Sequence, residues 1–287
     1  MTQDHDSLAS PDAKPATKVS RRKFLATTGA GLATAATVTT AAQREPTLSR
    51  PPQAKLNGSM VEIKRDGMTL PAYLSRPSNN KKAPAVLVIH EVFGLNRHIK
   101  TIADRIAREG YVAIAPNFFA RANEAPPEDS TDIQALRKAA ASIPPEAANR
   151  DMQAALDFLK PDKGVRPRFA SVGFCMGGGF SYRLAAYTKD LAGAVIFYGR
   201  TPVELVPQVN CPLLANFGEL DNGIKPAQVK EWVDALTKAG KSVDAKIYPG
   251  AGHGFFNDTR AQAYNATAAA DAWQRTLRFF REKLDKK

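Results

Sequence analysis

The run Gly173-Phe174-Cys175-Met176-Gly177-Gly178 sits between an apolar, strand-like stretch at 169–172 and a helix-like stretch at 180–187. A strand that turns straight into a helix, with glycines on both sides of one cysteine, is the setting of a nucleophile elbow, here with cysteine where serine is common. The turn is too sharp for side chains at its flanks, and its tip residue takes a strained backbone that crowds the neighbours. A thiol on that tip stands clear of the sheet, at a helix N-terminus whose dipole favours negative charge. The competing reading is a buried cysteine in a glycine-rich loop.

Strand-like segments recur at 60–64, 70–75, 85–89, 112–115, 169–173, 194–198, 213–217 and 243–248. Helical periodicity covers 97–109, 150–160, 176–188, 226–239 and 261–284. Strands alternating with helices predict an α/β fold: a mostly parallel eight-stranded sheet, an antiparallel edge made by the first pair, and helices on both faces. The Pro- and acid-containing stretch 123–145 is read as a lid over the site. No internal repeat is visible.

A nucleophile needs a base, and the base needs an orienting acid. In α/β folds with such an elbow the chain order is nucleophile, acid, histidine. His5, His90 and His98 all precede Cys175, which leaves His253 in the glycine-punctuated loop Gly250-Ala251-Gly252-His253-Gly254. The acids between them include Asp190, Glu204, Glu219, Asp221, Asp234 and Asp244. Asp234 falls in a helix and Asp244 in a strand, where solvated roles are expected. Asp221 stands just past an apolar strand, on the rim where open α/β sheets bind ligands, so it is the first choice and Glu219 the fallback. An oxyanion hole needs two converging N–H groups, and those of Val92, after the buried strand 85–89, and Met176 are the natural donors. Glu91 is unusual at the mouth of a buried strand: it would raise the thiol pKa or hold its proton until substrate arrives. His90 is assigned a structural role.

These segments together resemble one family. The set Glu91-Val92-Phe93-Gly94, Pro116-Asn117-Phe118-Phe119-Ala120-Arg121, Gly-Phe-Cys-Met-Gly-Gly, Gly218-Glu219-Leu220-Asp221 and Ala251-Gly252-His253-Gly254-Phe255 is similar to the dienelactone hydrolase (carboxymethylenebutenolidase) family, from about residue 60 to the C-terminus. The resemblance implies an α/β-hydrolase fold and cleavage of an ester or lactone by a Cys175-Asp221-His253 triad. It also implies that Glu91 holds the resting thiol proton and swings away when substrate binds. Arg121 matches one of the arginines that grip a substrate carboxylate. The second has no match, since its position carries Asn257, with Arg260 nearby. One guanidinium orients a carboxylate less than two, which points away from dienelactone itself. The alternatives are a general carboxylesterase or thioesterase, or a non-catalytic periplasmic binding protein on the same fold.

No cofactor or metal is implied: the histidines form no ligand set and no HxH, HExxH or CxxC spacing occurs. The formal net charge of +12 is scattered along the chain and not interleaved with stacking aromatics, so nucleic-acid binding is not expected, whereas anionic small-molecule substrates are favoured. Ser20-Arg21-Arg22-Lys23-Phe24-Leu25 and the uncharged run at 24–42 read as a twin-arginine signal peptide, too weakly apolar for a stable membrane span. The expected organisation is a leader at 1–42 with cleavage near Thr40-Ala41-Ala42, a linker at 43–58, a catalytic domain at 59–287, and export to the periplasm. In that oxidising compartment Cys175 and Cys211 are expected to stay free. One follows a strand end and the other opens a strand, at opposite edges of a parallel sheet, beyond the roughly 7 Å that a disulfide spans.

Overall fold

The computed structural model describes residues 55–285 apart from 80, 123 and 129. The leader and most of the linker lie outside the described residues. Eight strands, β1 (Ser59–Arg65), β2 (Met68–Ser75), β3 (Ala83–Ile89), β4 (Val112–Pro116), β5 (Val165–Phe174), β6 (Leu191–Phe197), β7 (Leu213–Gly218) and β8 (Val243–Tyr248), form one sheet in the order β1-β2-β4-β3-β5-β6-β7-β8. β2 pairs antiparallel with both β1 and β4, and the other pairings are parallel. The antiparallel edge is thus a single reversed strand lying second in the sheet.

Among the described residues six α-helices cover the sheet: α1 (Arg97–Arg108), α2 (Ile133–Ala141), α3 (Pro145–Leu159), α4 (Met176–Tyr187), α5 (Pro226–Lys238) and α6 (Ala266–Leu284). The pleat decides which helix goes where. In β3 all seven residues are buried, and they alternate between two cores. Leu87 and Ile89 pack with Met152, Leu156, Leu184 and Trp232 from α3, α4 and α5. Val86 and Val88 pack with Ile99, Ile102, Trp273 and Phe280 from α1 and α6. Burying each such side chain contributes about 1.5–3 kcal/mol, which makes the register of these strands hard to shift.

The helices differ from expectation in three places. The stretch read as a lid contains α2, capped by Asp132, whose Oδ1 accepts from the N–H groups of Gln134 (3.0 Å) and Ala135 (3.1 Å). Its Leu136 and Ala139, with Ile143 beyond its end, are buried in the core, so the segment is anchored by one apolar stripe. α3 starts at Pro145 rather than 150, because a proline at the first helical position leaves no wasted donor. α6 starts at Ala266 rather than 261, where the Asn265 side chain accepts from the Ala268 N–H at 3.0 Å.

The end of the expected linker is also part of the domain. Asn57 N–H donates to Asp104 Oδ2 (2.9 Å) and Gly58 N–H to the Tyr73 hydroxyl (2.6 Å), tying residues 57–58 to α1 and β2. Among the described residues no helix is long and apolar enough to cross a membrane.

One ion cluster joins three segments. Asp151 on α3, fully buried, accepts from Arg65 at the end of β1 and bidentately from Arg121 of the 3-10 turn Phe118–Arg121. Removing the carboxylate would strand the Arg121 guanidinium, only 17% exposed, and leave Arg65, 10% exposed, with the solvent-facing Asp66 alone. Asp151→Ala is therefore expected to cost about 3–5 kcal/mol of folding free energy in urea unfolding; a loss below about 1 kcal/mol would mean that water satisfies the arginines.

Candidate active site

β5 delivers Cys175 to the carboxyl edge of the sheet and α4 leaves from it. Cys175 has φ 56°, ψ −116°, a left-handed backbone that costs a non-glycine residue about 1–3 kcal/mol and persists only where its surroundings enforce it. Those surroundings are unusually close. A Cβ on Gly173 would lie 1.8 Å from the Gly177 carbonyl oxygen, and one on Gly177 would lie 2.3 Å from that of Ile89, so β3, β5 and the first turn of α4 approach at backbone distance. Cys175 N–H donates to Phe197 O at 3.0 Å, which fixes the tip against β6. Cys175 is itself the residue that opens α4, and no side chain caps that helix. Its first N–H groups are left without intrahelical acceptors at the spot where negative charge would develop.

His253 and Asp221 arrive from the loops after β8 and β7. His253 Nε2 lies 3.1 Å from Cys175 Sγ, and His253 Nδ1 lies 2.7 Å from Asp221 Oδ2. The other Asp221 oxygen, Oδ1, accepts from the N–H groups of Gly223 (2.7 Å) and Ile224 (3.0 Å). Asp221 is 1% exposed; burial works against its ionisation, but the imidazole and the two amides outweigh it and hold the carboxyl below its usual range. For His253, burial pulls the pKa down, yet Asp221 and the cysteine sulfur raise it to about 10. The imidazole is therefore a cation at neutral pH, with Nδ1–H facing the carboxylate and Nε2–H facing sulfur.

The fallback acid is engaged elsewhere: Glu219 Oε2 accepts from Gly250 N–H at 2.9 Å and braces the histidine loop. Asp190 pairs with Lys160, Asp234 with Lys230 and Asp244 with Arg275, away from the imidazole. Val92 and Met176 both line a cavity of about 1390 Å³ that opens over Cys175 and His253, and Glu204 lines it too.

Glu91 is 2% exposed and has a different partner from the one expected. Its Oε2 accepts from Asn257 Nδ2 at 2.5 Å, and its Oε1 from the Tyr198 hydroxyl at 3.3 Å, while the cysteine sulfur faces histidine. Of the two positions that the resemblance implies, this is the one withdrawn from the thiol. Asn257, which departs from the family arginine, is thus the residue that holds Glu91. His90, also fully buried, accepts from Phe118 N–H at Nε2 (3.1 Å) and donates from Nδ1 to the Glu91 carbonyl (2.6 Å). Burial lowers its pKa to about 4, so it stays neutral as the Nδ1–H tautomer and serves the loop's structure.

Two expected substrate contacts need correction. Arg121 does not line the cavity; its guanidinium is committed to Asp151, because that buried carboxylate demands a cation. Arg260 is exposed, outside the cavity lining, with its guanidinium 4.6 Å over the Phe93 ring. Cys211 is buried and free, its thiol pushed up to about 12 by desolvation.

Sequence reasoning missed Tyr198, which lines the cavity, lies tilted against the His253 ring (5.1 Å between centroids) and has φ 38°. The signal was there: an aromatic at the end of a buried strand, followed by glycine. Arg137, Arg183 and Arg200 also line the cavity and carried no motif.

The sequence model of the dienelactone hydrolase family matches residues 70–284. An Escherichia coli O157:H7 protein named "putative carboxymethylenebutenolidase" is 33% identical over 254 residues, covering 84% of this chain and 93% of its own. A Methylorubrum extorquens protein of the same name is 33% identical over 279 residues, covering 93% and 94%. A solved Klebsiella pneumoniae structure, titled as a putative dienelactone hydrolase, superposes with a TM-score of 0.73 at 30% identity over 78% of this chain and 97% of that one.

The raised His253 pKa yields a test with a definite sign. A folded-state value of about 10, above the ordinary histidine value of 6.5, means that the imidazolium's contribution to stability is complete below about pH 6.5 and is lost as pH rises through about 10. Asp221→Asn removes a carboxylate that raises the value, so the His253 ring should titrate at lower pH when followed by NMR. An unchanged midpoint would show that Asp221 does not set the charge of the imidazole.

Proposed function

The chain belongs to the dienelactone hydrolase family, and from that premise we propose that it is a carboxylic ester hydrolase that cleaves an ester or lactone with Cys175 as nucleophile, His253 as acid and base, and Asp221 as orienting acid. The observation that carries the reading is the unbroken relay of 3.1 Å from sulfur to Nε2 and 2.7 Å from Nδ1 to carboxylate. Cys175 thiolate attacks the carbonyl carbon, and the N–H groups of Val92 and Met176 receive the developing oxyanion. The tetrahedral adduct collapses to a thioester as His253 Nε2–H protonates the leaving alkoxide. Water then attacks the thioester, Nε2 takes its proton, and the carboxylic acid leaves with the thiolate restored.

Asp221 keeps the imidazole in one orientation through both halves and stabilises its positive form. Glu91, held by Asn257 and Tyr198, stays off the sulfur while this happens. A broader carboxylesterase or thioesterase is the second reading, favoured by a cavity of about 1390 Å³ and by the engagement of Arg121 with Asp151. A purely binding role is disfavoured by the intact relay.

Purified protein is expected to hydrolyse an activated nitrophenyl ester, and Cys175→Ala to lose about 10³-fold or more of kcat with its circular dichroism unchanged. Substantial turnover by the alanine variant would remove sulfur from the chemistry. Cys175→Ser should also be severely impaired, because an alkoxide is harder to generate than a thiolate.

We further propose that the leader exports the folded enzyme to the periplasm by the twin-arginine route. Arg21→Lys with Arg22→Lys should retain the precursor in the cytoplasm on cell fractionation; unaltered periplasmic recovery would point to another route.

A further inference from the structure

The floor of the cavity is one face of α4. Met176, Gly179, Phe180 and Arg183 all line it, at the i, i+3, i+4, i+7 spacing that places residues on one helical stripe. Cys175 stands at the start of that stripe, and Arg183 lies eight residues on, about 12 Å along the helix axis at ~1.5 Å per residue. Between them Gly179 contributes no side chain, and Arg200 runs past it, with its carbonyl oxygen 3.2 Å from where a Gly179 Cβ would stand. Arg137 of α2 adds a third guanidinium to the lining.

These three arginines are uncommitted. Arg65, Arg76, Arg121 and Arg275 each pair with a carboxylate, whereas among the described residues none of Arg137, Arg183 and Arg200 has a hydrogen-bond or ion-pair partner. Asp221, Glu204 and Glu231 also line the cavity; Asp221 is taken by His253, and neither glutamate pairs with the guanidiniums. Three of the five large apolar side chains exposed in the described residues converge on the same mouth: Val203 (36%), Leu220 (61%) and Tyr264 (40%). A cavity of about 1390 Å³ exceeds the 300–1,000 Å³ common for small-ligand sites.

We propose that this cavity selects an elongated amphipathic ester or lactone whose far end is anionic, with Arg183, Arg200 and Arg137 holding the anion about one α4 stripe away from the scissile carbonyl and Val203, Leu220 and Tyr264 covering the apolar body between. The inference rests on the hydrolase reading and names its substrate class. The axial spacing of Arg183 from Cys175 favours a distal carboxylate over one next to the reacting carbonyl. Guanidinium forks bind such an oxyanion bidentately, and the apolar rim gives the connecting chain somewhere to leave water.

The test compares three nitrophenyl esters: the half-ester of suberate, the half-ester of succinate and the neutral octanoate. The wild-type kcat/KM should be highest for suberate. The suberate-to-octanoate ratio should fall by about tenfold or more in Arg183→Ala and in Arg200→Ala, and Arg183→Lys, which restores the charge but not the fork, should recover part of it. Raising ionic strength should erode the ratio in the wild type and not in the triple alanine variant. A ratio that is the same in wild type and triple variant, or a succinate half-ester cleaved as well as the suberate one, overturns the proposal. If the wild type cleaves none of the three, the hydrolase reading fails by itself. The subsite is then judged by calorimetric binding of suberate against octanoate to Cys175→Ala, where a preference abolished by Arg183→Ala supports it and equal binding rejects it.

Discussion

The backbone at Cys175 is the constraint from which the rest of the site follows. A left-handed, non-glycine residue is held there because β3, β5 and the first turn of α4 meet without side chains between them, at Gly173 and Gly177. The strain is retained by the two packed faces of the sheet, which fix the strands on either side of the tip. With the sulfur lifted above the carboxyl edge, the loops after β7 and β8 need supply only one side chain each. Asp221 is locked by two backbone amides, so its position does not depend on the more exposed histidine that it orients.

Polar groups buried around this tip are satisfied in a chain that fixes proton positions. Phe118 N–H defines the tautomer of His90, His90 holds the Glu91 carbonyl, and the Glu91 carboxylate is met by Asn257 and Tyr198. Tyr198 then lies against the His253 ring. The loop that supplies one half of the expected oxyanion hole is therefore tied, through buried groups, to the loop that supplies the histidine.

The parts legible in the sequence are those set by local rules. All eight strands could be read: buried strands such as β3 and β6 are continuous apolar runs bounded by turns, whereas β1 and β8 alternate polar and apolar residues, and Cys175, Asp221 and His253 stand out through glycines, strand ends and chain order. α2 was hidden because its stripe is short and flanked by prolines, although Asp132 announces its start. The role of Arg121 was illegible for another reason: Asp151 lies 30 residues away, and only the fold brings a buried carboxylate to it. Likewise Asn257 reads in isolation as a lost arginine, and its bond to Glu91 spans 166 residues. The three cavity arginines belong to separate elements, and no spacing links them.

Cys211 lies buried on the far side of the sheet edge from Cys175, and no other thiol exists in the chain. A sulfenic acid formed at the elbow therefore has no resolving cysteine within the same molecule to capture it as a disulfide. Oxidation there proceeds up the ladder toward sulfinic acid unless an external thiol intervenes. The arrangement that holds the sulfur at the cavity mouth leaves its repair to the redox partners of whatever compartment the enzyme occupies.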